Sequence, residues 1–348
     1  MSFKAVEECN MKVFPKHSVM LVSIGTIGKI SIAMNSGTSN QQINTIIFNE
    51  FKMSPFFGFY FLYANKEMIK HFSNISLIAI LNQSQTEELI LAVPPLSEQK
   101  AIADYLDKKT SEIDQIIEAK KKLIALYNEE KSALINKAVT KGIDDKAKLK
   151  PSGIEWLGDI PQHWEVKKFR YLYSLNNNKS DKDLKKIALE NIESKTGKLI
   201  DTNTEFAGTG IEFNKDDILF GKLRPYLAKV YLSDFHGEAV GDFYVFTPNL
   251  SEVNPIFSKY RILDYSFIDL VSSSTYGAKM PRASWDFISN LMFAVPPLKE
   301  QEKIVDYIEK NVSVIDKKVA NAKRLIELMT EYRTTLISEV VTGKVKVV

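Results

Sequence analysis

Residues Ala92-Val93-Pro94-Pro95-Leu96-Ser97-Glu98-Gln99 return about 202 positions later as Ala294-Val295-Pro296-Pro297-Leu298-Lys299-Glu300-Gln301. Carried forward without a gap, the match runs from Ala92–Ile143 onto Ala294–Val345, with roughly two-fifths of the positions identical. Asp104-Tyr105 falls on Asp306-Tyr307, Ile113-Asp114 on Ile315-Asp316, Leu134-Ile135 on Leu336-Ile337, and Val139-Thr140 on Val341-Thr342. Solenoid repeats have periods of about 20–50 residues, so a period near 200 marks duplication of a globular domain together with the helix that follows it.

Each repeated stretch reads as a long helix. A Pro-Pro pair blocks helix upstream, and neither stretch contains Gly or Pro until Gly142 and Gly343. Ile308, Val312, Ile315, Val319, Ala322, Ile326 and Met329 advance by four and three residues, the seam of a coiled coil. The first copy keeps Leu106, Ile113, Ile117, Ile124, Tyr127, Leu134 and Ala138 but sets Thr110, Lys120 and Lys131 in the seam. Lysine there lowers stability and selects one register or partner. About 42 helical residues at ~1.5 Å each give a rod of ~60 Å, longer than one small domain can cover.

Outside the helices, the composition is that of an ordinary globular protein. The chain has 348 residues, 46 Lys+Arg against 43 Asp+Glu, four His, 45% hydrophobic residues and a net charge of +3, and its mean hydropathy is -0.14. That length predicts roughly two domains at ~100–200 residues each. With so little net charge, any nucleic-acid surface must be local. No apolar run approaches the ~18 residues of a membrane span, and Met1–Glu8 lacks the apolar core of a signal peptide. The lone Cys9 fits a reducing, cytoplasmic setting without disulfides.

The expected order is an incomplete first domain over 1–95, a helix over 96–143, a Lys-rich linker over 144–151, a second domain over 152–297 and a second helix over 298–342. The second domain mixes short β-like runs (Asp217–Phe220, Ala228–Leu232, Asp242–Phe246) with a helical stretch over Asn254–Leu270, so the fold class is α+β. The first domain matches it weakly, Ser18–Val22 over Asp216–Phe220 and Ile46–Phe48 over Tyr244–Phe246. Only about 17 residues precede that strand in the first copy, against about 65 in the second. The first globule therefore lacks its opening ~45 residues, and Met20–Ser23 and Ile43–Phe48 are expected to need partners from that segment.

No catalytic constellation emerges. Gly25-Thr26-Ile27-Gly28-Lys29-Ile30 has Ile30 where a phosphate loop needs Ser or Thr for magnesium, so it reads as a turn. Asn254-Pro255-Ile256-Phe257 lacks the second proline of an amino-methyltransferase loop and reads as a helix start. His17, His71, His163 and His236 are isolated, without zinc-type spacing, and no Gly-x-Ser-x-Gly elbow occurs. The chain itself is expected to hold no metal or cofactor.

Groups suited to DNA are better represented. Lys and Arg meet phosphates, while Arg, Asn and Gln read base edges with paired donors and acceptors. Gly221–Tyr226 is a basic, aromatic turn carrying Lys222, Arg224 and Tyr226, and Ser274–Arg282 is a second loop carrying Tyr276, Lys279 and Arg282. Asn178 and Lys179 lie early in the second domain, and Lys29, Gln41 and Gln42 supply comparable groups in the first. Lys120-Lys121-Lys122 reads as a solvated or partner-facing stripe.

Three features together resemble the DNA-specificity subunit of type I restriction–modification systems. They are the segment Gly153-Ile154-Glu155-Trp156-Leu157-Gly158-Asp159-Ile160-Pro161-Gln162-His163-Trp164, the twofold Ala-Val-Pro-Pro-Leu-x-Glu-Gln boundary, and the long helix after each boundary. The resemblance spans nearly the whole chain. It implies two target-recognition domains held apart by two long antiparallel coiled-coil helices, each domain reading half of a bipartite site on double-stranded DNA. It also implies a non-catalytic subunit that binds two methyltransferase subunits and restriction (motor-nuclease) subunits, with S-adenosylmethionine, ATP and magnesium held by those partners. The sequence departs from the pattern where the opening Gly-x-x-Trp-Leu-like motif has no first copy. A second reading is therefore a truncated or silent subunit serving as subunit competitor or recombination donor. A generic coiled-coil protein would explain the helices but not the duplicated globules.

Overall fold

Each Pro-Pro pair is followed directly by helix, Leu96–Lys141 in the first copy and Leu298–Val341 in the second. The computed structural model describes residues 11–71, 74–75, 79–179, 184–200, 202, 208–275, 277 and 279–347. Residues 1–124 with 320–348 form one unit and residues 125–319 the other. Both long helices thus contribute to both units.

Within each unit the two helical segments run antiparallel. In the first, Ile102, Leu106 and Ile113 share a core with Leu336, Ile337, Val340 and Val341, and Asp114 meets Arg333 at 3.5 Å. In the second, Ala138 and Val139 pack with Ile304, Val305 and Ile308, and Lys131 meets Asp316 at 2.8 Å. These ion pairs are the same pair twice, since the repeat places Asp114 on Asp316 and Lys131 on Arg333. The polar seam residues are therefore matched: Lys131 by Asp316, and Thr110 by the Leu106 carbonyl and the Tyr60 hydroxyl. Lys121 pairs with Glu118 on the same exposed face, as a solvated stripe would.

The second unit carries a four-stranded antiparallel sheet in the order Val230–Leu232, Ile218–Gly221, Phe243–Pro248, Tyr173–Asn176. Alternation divides its side chains. Phe220, Val230 and Phe246 face helices Pro255–Leu263 and Tyr265–Ser273 and an aromatic core with Phe169, Phe267 and Phe293. Leu219, Tyr231, Phe243 and Val245 face a smaller sheet of Lys186–Ile187, Gly237–Ala239 and Ile211–Phe213. The single helix expected over Asn254–Leu270 is in fact two. Asn254 caps the first, accepting from the Ile256 and Phe257 amides, and Asp264, at φ −57° and ψ 136°, breaks the run.

In the first unit, Ile30–Ile32, Val19–Val22 and Ile43–Ile46 form an antiparallel sheet around Val19, Leu21, Ile27, Leu62, Ile69, Leu81 and Leu89. The expectation that its strands need outside partners is overturned for Val19–Val22, which pairs with both Ile30–Ile32 and Ile43–Ile46; Ile43–Ile46 is an edge strand of this sheet, whereas its counterpart Phe243–Pro248 is flanked by Tyr173–Asn176. Backbone bonds repeat between the units. The His17 amide reaches the Ala33 carbonyl as Asp216 reaches Ser233, and Ser23 reaches Gln42 as Lys222 reaches Asp242. His17 and Asp216 even share a left-handed conformation, at φ 67° and 71°. This correspondence puts His17 on Asp216, one residue from the alignment expected for the first strand, and Ile46 on Phe246, two residues from that expected for the third. A two-residue slip keeps every side chain on its face, so hydrophobic alternation cannot detect it.

The repeated Glu-Gln explains the boundary motif. Gln99 and Gln301 are fully buried. Gln99 Oε1 accepts the Ser54 amide at 2.7 Å, and its Nε2 donates to the Lys52 and Pro94 carbonyls. Gln301 makes the equivalent three bonds to Asn254, Glu252 and Pro296. Each glutamine thereby ties the start of a domain helix to the start of a long helix. In the second unit Glu300 adds a further tie, accepting from Trp164 Nε1 at 3.1 Å and lying 2.6 Å from His163. Gly142, at φ +78°, ends the first long helix beside Trp164, where the backbone conformation would strain any residue with a side chain.

Candidate nucleic-acid interface

The turn Gly221–Tyr226 leaves a strand whose core-facing residues fix its direction, and its own backbone fixes its shape. The Lys222 amide donates to the Asp242 carbonyl, Arg224 stands in the left-handed region at φ 51° and ψ 61°, and Pro225–Leu227 closes as a short 3-10 turn. The loop after Ser273 returns to this turn. Leu223 bridges Arg282, the Arg224 amide donates to the Pro281 carbonyl at 2.8 Å, and the Ala283 amide donates to the Lys222 carbonyl at 2.9 Å. The two basic loops, far apart in sequence, are thus one surface.

Their side chains divide by partner. Arg282 is held in a fork by Asp242, Nε to Oδ1 at 3.1 Å and Nη2 to Oδ2 at 3.0 Å, and this contact raises the Arg282 pKa further. Lys222 lies 4.0 Å from the same carboxylate and 5.3 Å from the Tyr244 ring. Arg224 is exposed and its guanidinium has no partner among the described residues, and Lys279 is likewise exposed. Tyr226 is half-exposed beside them. Tyr276 and Ala278 lie outside the described residues.

The other sequence candidates sit elsewhere. Lys179 bridges Ile211, and the Asn178 carbonyl accepts the Glu212 amide, so both belong to the edge of the smaller sheet rather than to the joined loops. In the first unit the Gln42 carbonyl accepts from Ser23, while the Leu81 amide donates to the Ser23 carbonyl and Ile24 bridges Ile80. This is the same joined-loop design built from neutral residues, with Gln42 in the place of Asp242. Gln41 and Gln42 are exposed on it. Lys29 corresponds to Lys229, at the start of the next strand, and does not sit at the junction. Sequence reasoning missed Asp242, whose role depends on a contact with a residue distant in the chain.

Among the described residues, no cluster of three or more His, Cys, Asp or Glu could hold a metal ion, and no helix is long and apolar enough to cross a membrane. The surface offers fixed cations, amide groups and an aromatic edge, the groups suited to phosphates and base edges.

Comparison with known proteins places these features in a family. The type I restriction modification DNA specificity domain matches residues 2–126 and 161–327. The type I restriction enzyme EcoDI specificity subunit of Escherichia coli is 24% identical over 94% of this chain and 78% of its own length. The MjaIX specificity subunit of Methanocaldococcus jannaschii is 25% identical over 99% of this chain and 81% of its own. Among solved structures, a chain from work on assembly and conformational transition of the type I R-M system aligns with a TM-score of 0.72 at 13% identity, covering 96% of this chain and 84% of that one. The HsdS subunit from Thermoanaerobacter tengcongensis aligns with a TM-score of 0.57 at 11% identity, covering 96% and 83%. At those identities the structures speak for the fold.

Proposed function

The chain belongs to the type I restriction–modification DNA-specificity family, and we propose that it reads a two-part site on double-stranded DNA, one half through each unit. In the second unit, Arg224 is the base-reading side chain, Lys279 contacts phosphate, and Arg282, clamped by Asp242, braces the joined loops. In the first unit the neutral turn with Gln41 and Gln42 reads through amide groups. The long helices contribute to the core of each unit, and the spacer between the half-sites is expected to follow their length, as rigid spacing sets half-site distance in other DNA-binding proteins. They also present docking surface for methyltransferase and restriction subunits. The chain performs no covalent step itself. S-adenosylmethionine, ATP and magnesium belong to those partners, which would extrude the target base to modify it.

The observation that carries this reading is the junction of Gly221–Tyr226 with Lys279–Ala283, where one arginine is committed to a carboxylate and the other is left exposed. Arg224→Ala should relax preference at one position of one half-site and weaken binding there by about 1–3 kcal/mol, whereas Lys279→Ala should weaken all sequences alike and reduce the salt slope by about 1. Selection from random duplexes at fixed salt measures both. An unchanged preference in Arg224→Ala would overturn the assignment.

A further inference from the structure

The second unit contains a cleft of about 530 Å³ that adjoins the Gly221–Tyr226 turn at Tyr226, bordered by helix residues Ile135 and Val312 and by Tyr260, Leu263 and Ile268 of the recognition domain. Small-molecule sites occupy about 300–1,000 Å³ and combine apolar walls with a few convergent polar groups. Here the charged groups are four lysines and three carboxylates, of which Asp316 is taken by Lys131 and Asp264 by Arg261, while Asp269 is exposed. Lys131, Lys195, Lys198 and Lys259 all reach the cleft.

Their charges are unevenly compensated. Lys131 is matched by Asp316 at 2.8 Å. Lys195 and Lys198 stand exposed at the rim. Lys259 is half-buried and has no carboxylate within ion-pair distance among the described residues; its Nζ lies 5.9 Å from the Tyr260 ring. Its stem passes beneath the turn that ends at Lys198, where Gly197 has φ +65° and a Cβ would stand 2.4 Å from the Val230 carbonyl oxygen and 3.2 Å from Lys259 Cε. Only glycine closes that turn over the lysine. Burial pulls the Lys259 ammonium below the ordinary lysine range; Glu309 opposes this, while Lys198 and Lys131 push the same way.

A desolvated cation beside two others costs folding energy unless something pairs with it. The fold nevertheless holds this one at the wall of a cleft with aromatic and aliphatic sides. An anion supplies the missing charge, and a ring fills the apolar depth. The Thr196, Ser132 and Ser272 hydroxyls on the same lining donate to Glu193 and to the Asn128 and Ile268 carbonyls, which leaves their lone pairs to accept from a sugar. We propose that this cleft binds a nucleoside phosphate, with its phosphate at Lys259 and Lys198 and its ring against Tyr260, Leu263 and Ile268. The nucleotide is either free or part of a single DNA strand. Arg224 and Lys279 are not among the lining residues of the cleft.

Calorimetric titration of the full chain with dAMP, inorganic phosphate and a short mixed-sequence single strand tests it. Wild type should bind dAMP saturably and about tenfold more tightly than inorganic phosphate, the difference being the ring's share. Lys259→Met, which keeps an apolar stem, should lose about tenfold or more of the dAMP affinity, and rim variant Lys198→Gln should weaken it without touching the core. A strand that displaces dAMP, and is itself weakened by both variants, identifies the strand as the source. A strand that fails to displace dAMP identifies the free nucleotide. Absence of saturable dAMP binding, equal affinity for dAMP and phosphate, or unchanged affinity in Lys198→Gln and folded Lys259→Met would each overturn the proposal.

Discussion

Gln301→Ala is expected to lower the stability of the second unit by about 3–5 kcal/mol, since each buried polar group left unpaired costs about 1–3 kcal/mol. The buried side chain satisfies one amide and two carbonyls: the Asn254 N–H at 2.7 Å and the Glu252 and Pro296 carbonyls at 2.8 Å each. Alanine leaves all three without a partner and adds a cavity. Gln301→Glu should do no better, because a carboxylate cannot donate to two carbonyls. Trp156, Trp164 and Trp285 all lie in the second unit, so urea unfolding followed by tryptophan fluorescence reads it directly. Gln99→Ala, which breaks the same three bonds in the first unit, should cost a similar amount there by circular dichroism. A loss below about 1 kcal/mol for Gln301→Ala, the worth of a single ordinary hydrogen bond, would contradict this view of the boundary motif.

The second large effect is expected at Asp264. Arg261 is fully buried, with its guanidinium 5.0 Å from the Trp156 ring and 4.8 Å from the Phe293 ring. Its one hydrogen-bonded partner is Asp264, Nη1 to Oδ2 at 3.1 Å, while Nε and Nη2 have no partner among the described residues. Asn136 of the first long helix donates to the other Asp264 oxygen. The pair thus links the Trp156 motif, the break between the two domain helices and the rod. Asp264→Ala strands a buried charge and should cost about 3–5 kcal/mol, whereas Arg261→Met in the same chain should recover most of it, because apolar replacement of a buried pair is often neutral. The fluorescence-detected urea midpoint separates the cases. A double variant no more stable than Asp264→Ala alone would contradict the pairing.

Different parts of this architecture were legible in the sequence to different degrees. The helices and their seam were, because Ile308, Val312, Ile315 and the rest repeat over many turns, and a 3.5-residue period sustained that long is the mark of paired helices. The α+β character followed from short β-runs beside Asn254-Pro255, a helix start with its cap in place. Register was not legible: Ile46 lies on Phe246 rather than on Tyr244, and a two-residue slip leaves the pattern intact. Nor was the break at Asp264, since Phe267, Ile268 and Val271 continue an apolar helical face beyond it and the buried Arg261 that pairs with the carboxylate leaves no local signal. At the candidate interface, Lys222, Arg224, Lys279 and Arg282 stood out as charged residues in Gly-bearing loops. Their juxtaposition, and the clamp of Arg282 by Asp242, arises from pairing between distant segments and leaves no local signature. Asn178, Lys179 and Lys29 were chosen by residue type alone, and type does not specify a face.

The claim that this chain assigns a two-part DNA sequence to a modification complex is tested most directly by producing it with its methyltransferase subunit and mapping methylated bases across a genome. The account predicts one motif with two defined halves at a fixed spacing, and in Arg224→Ala a change confined to one half. Methylation at no defined sequence, or at an undivided motif indifferent to Arg224, would contradict it.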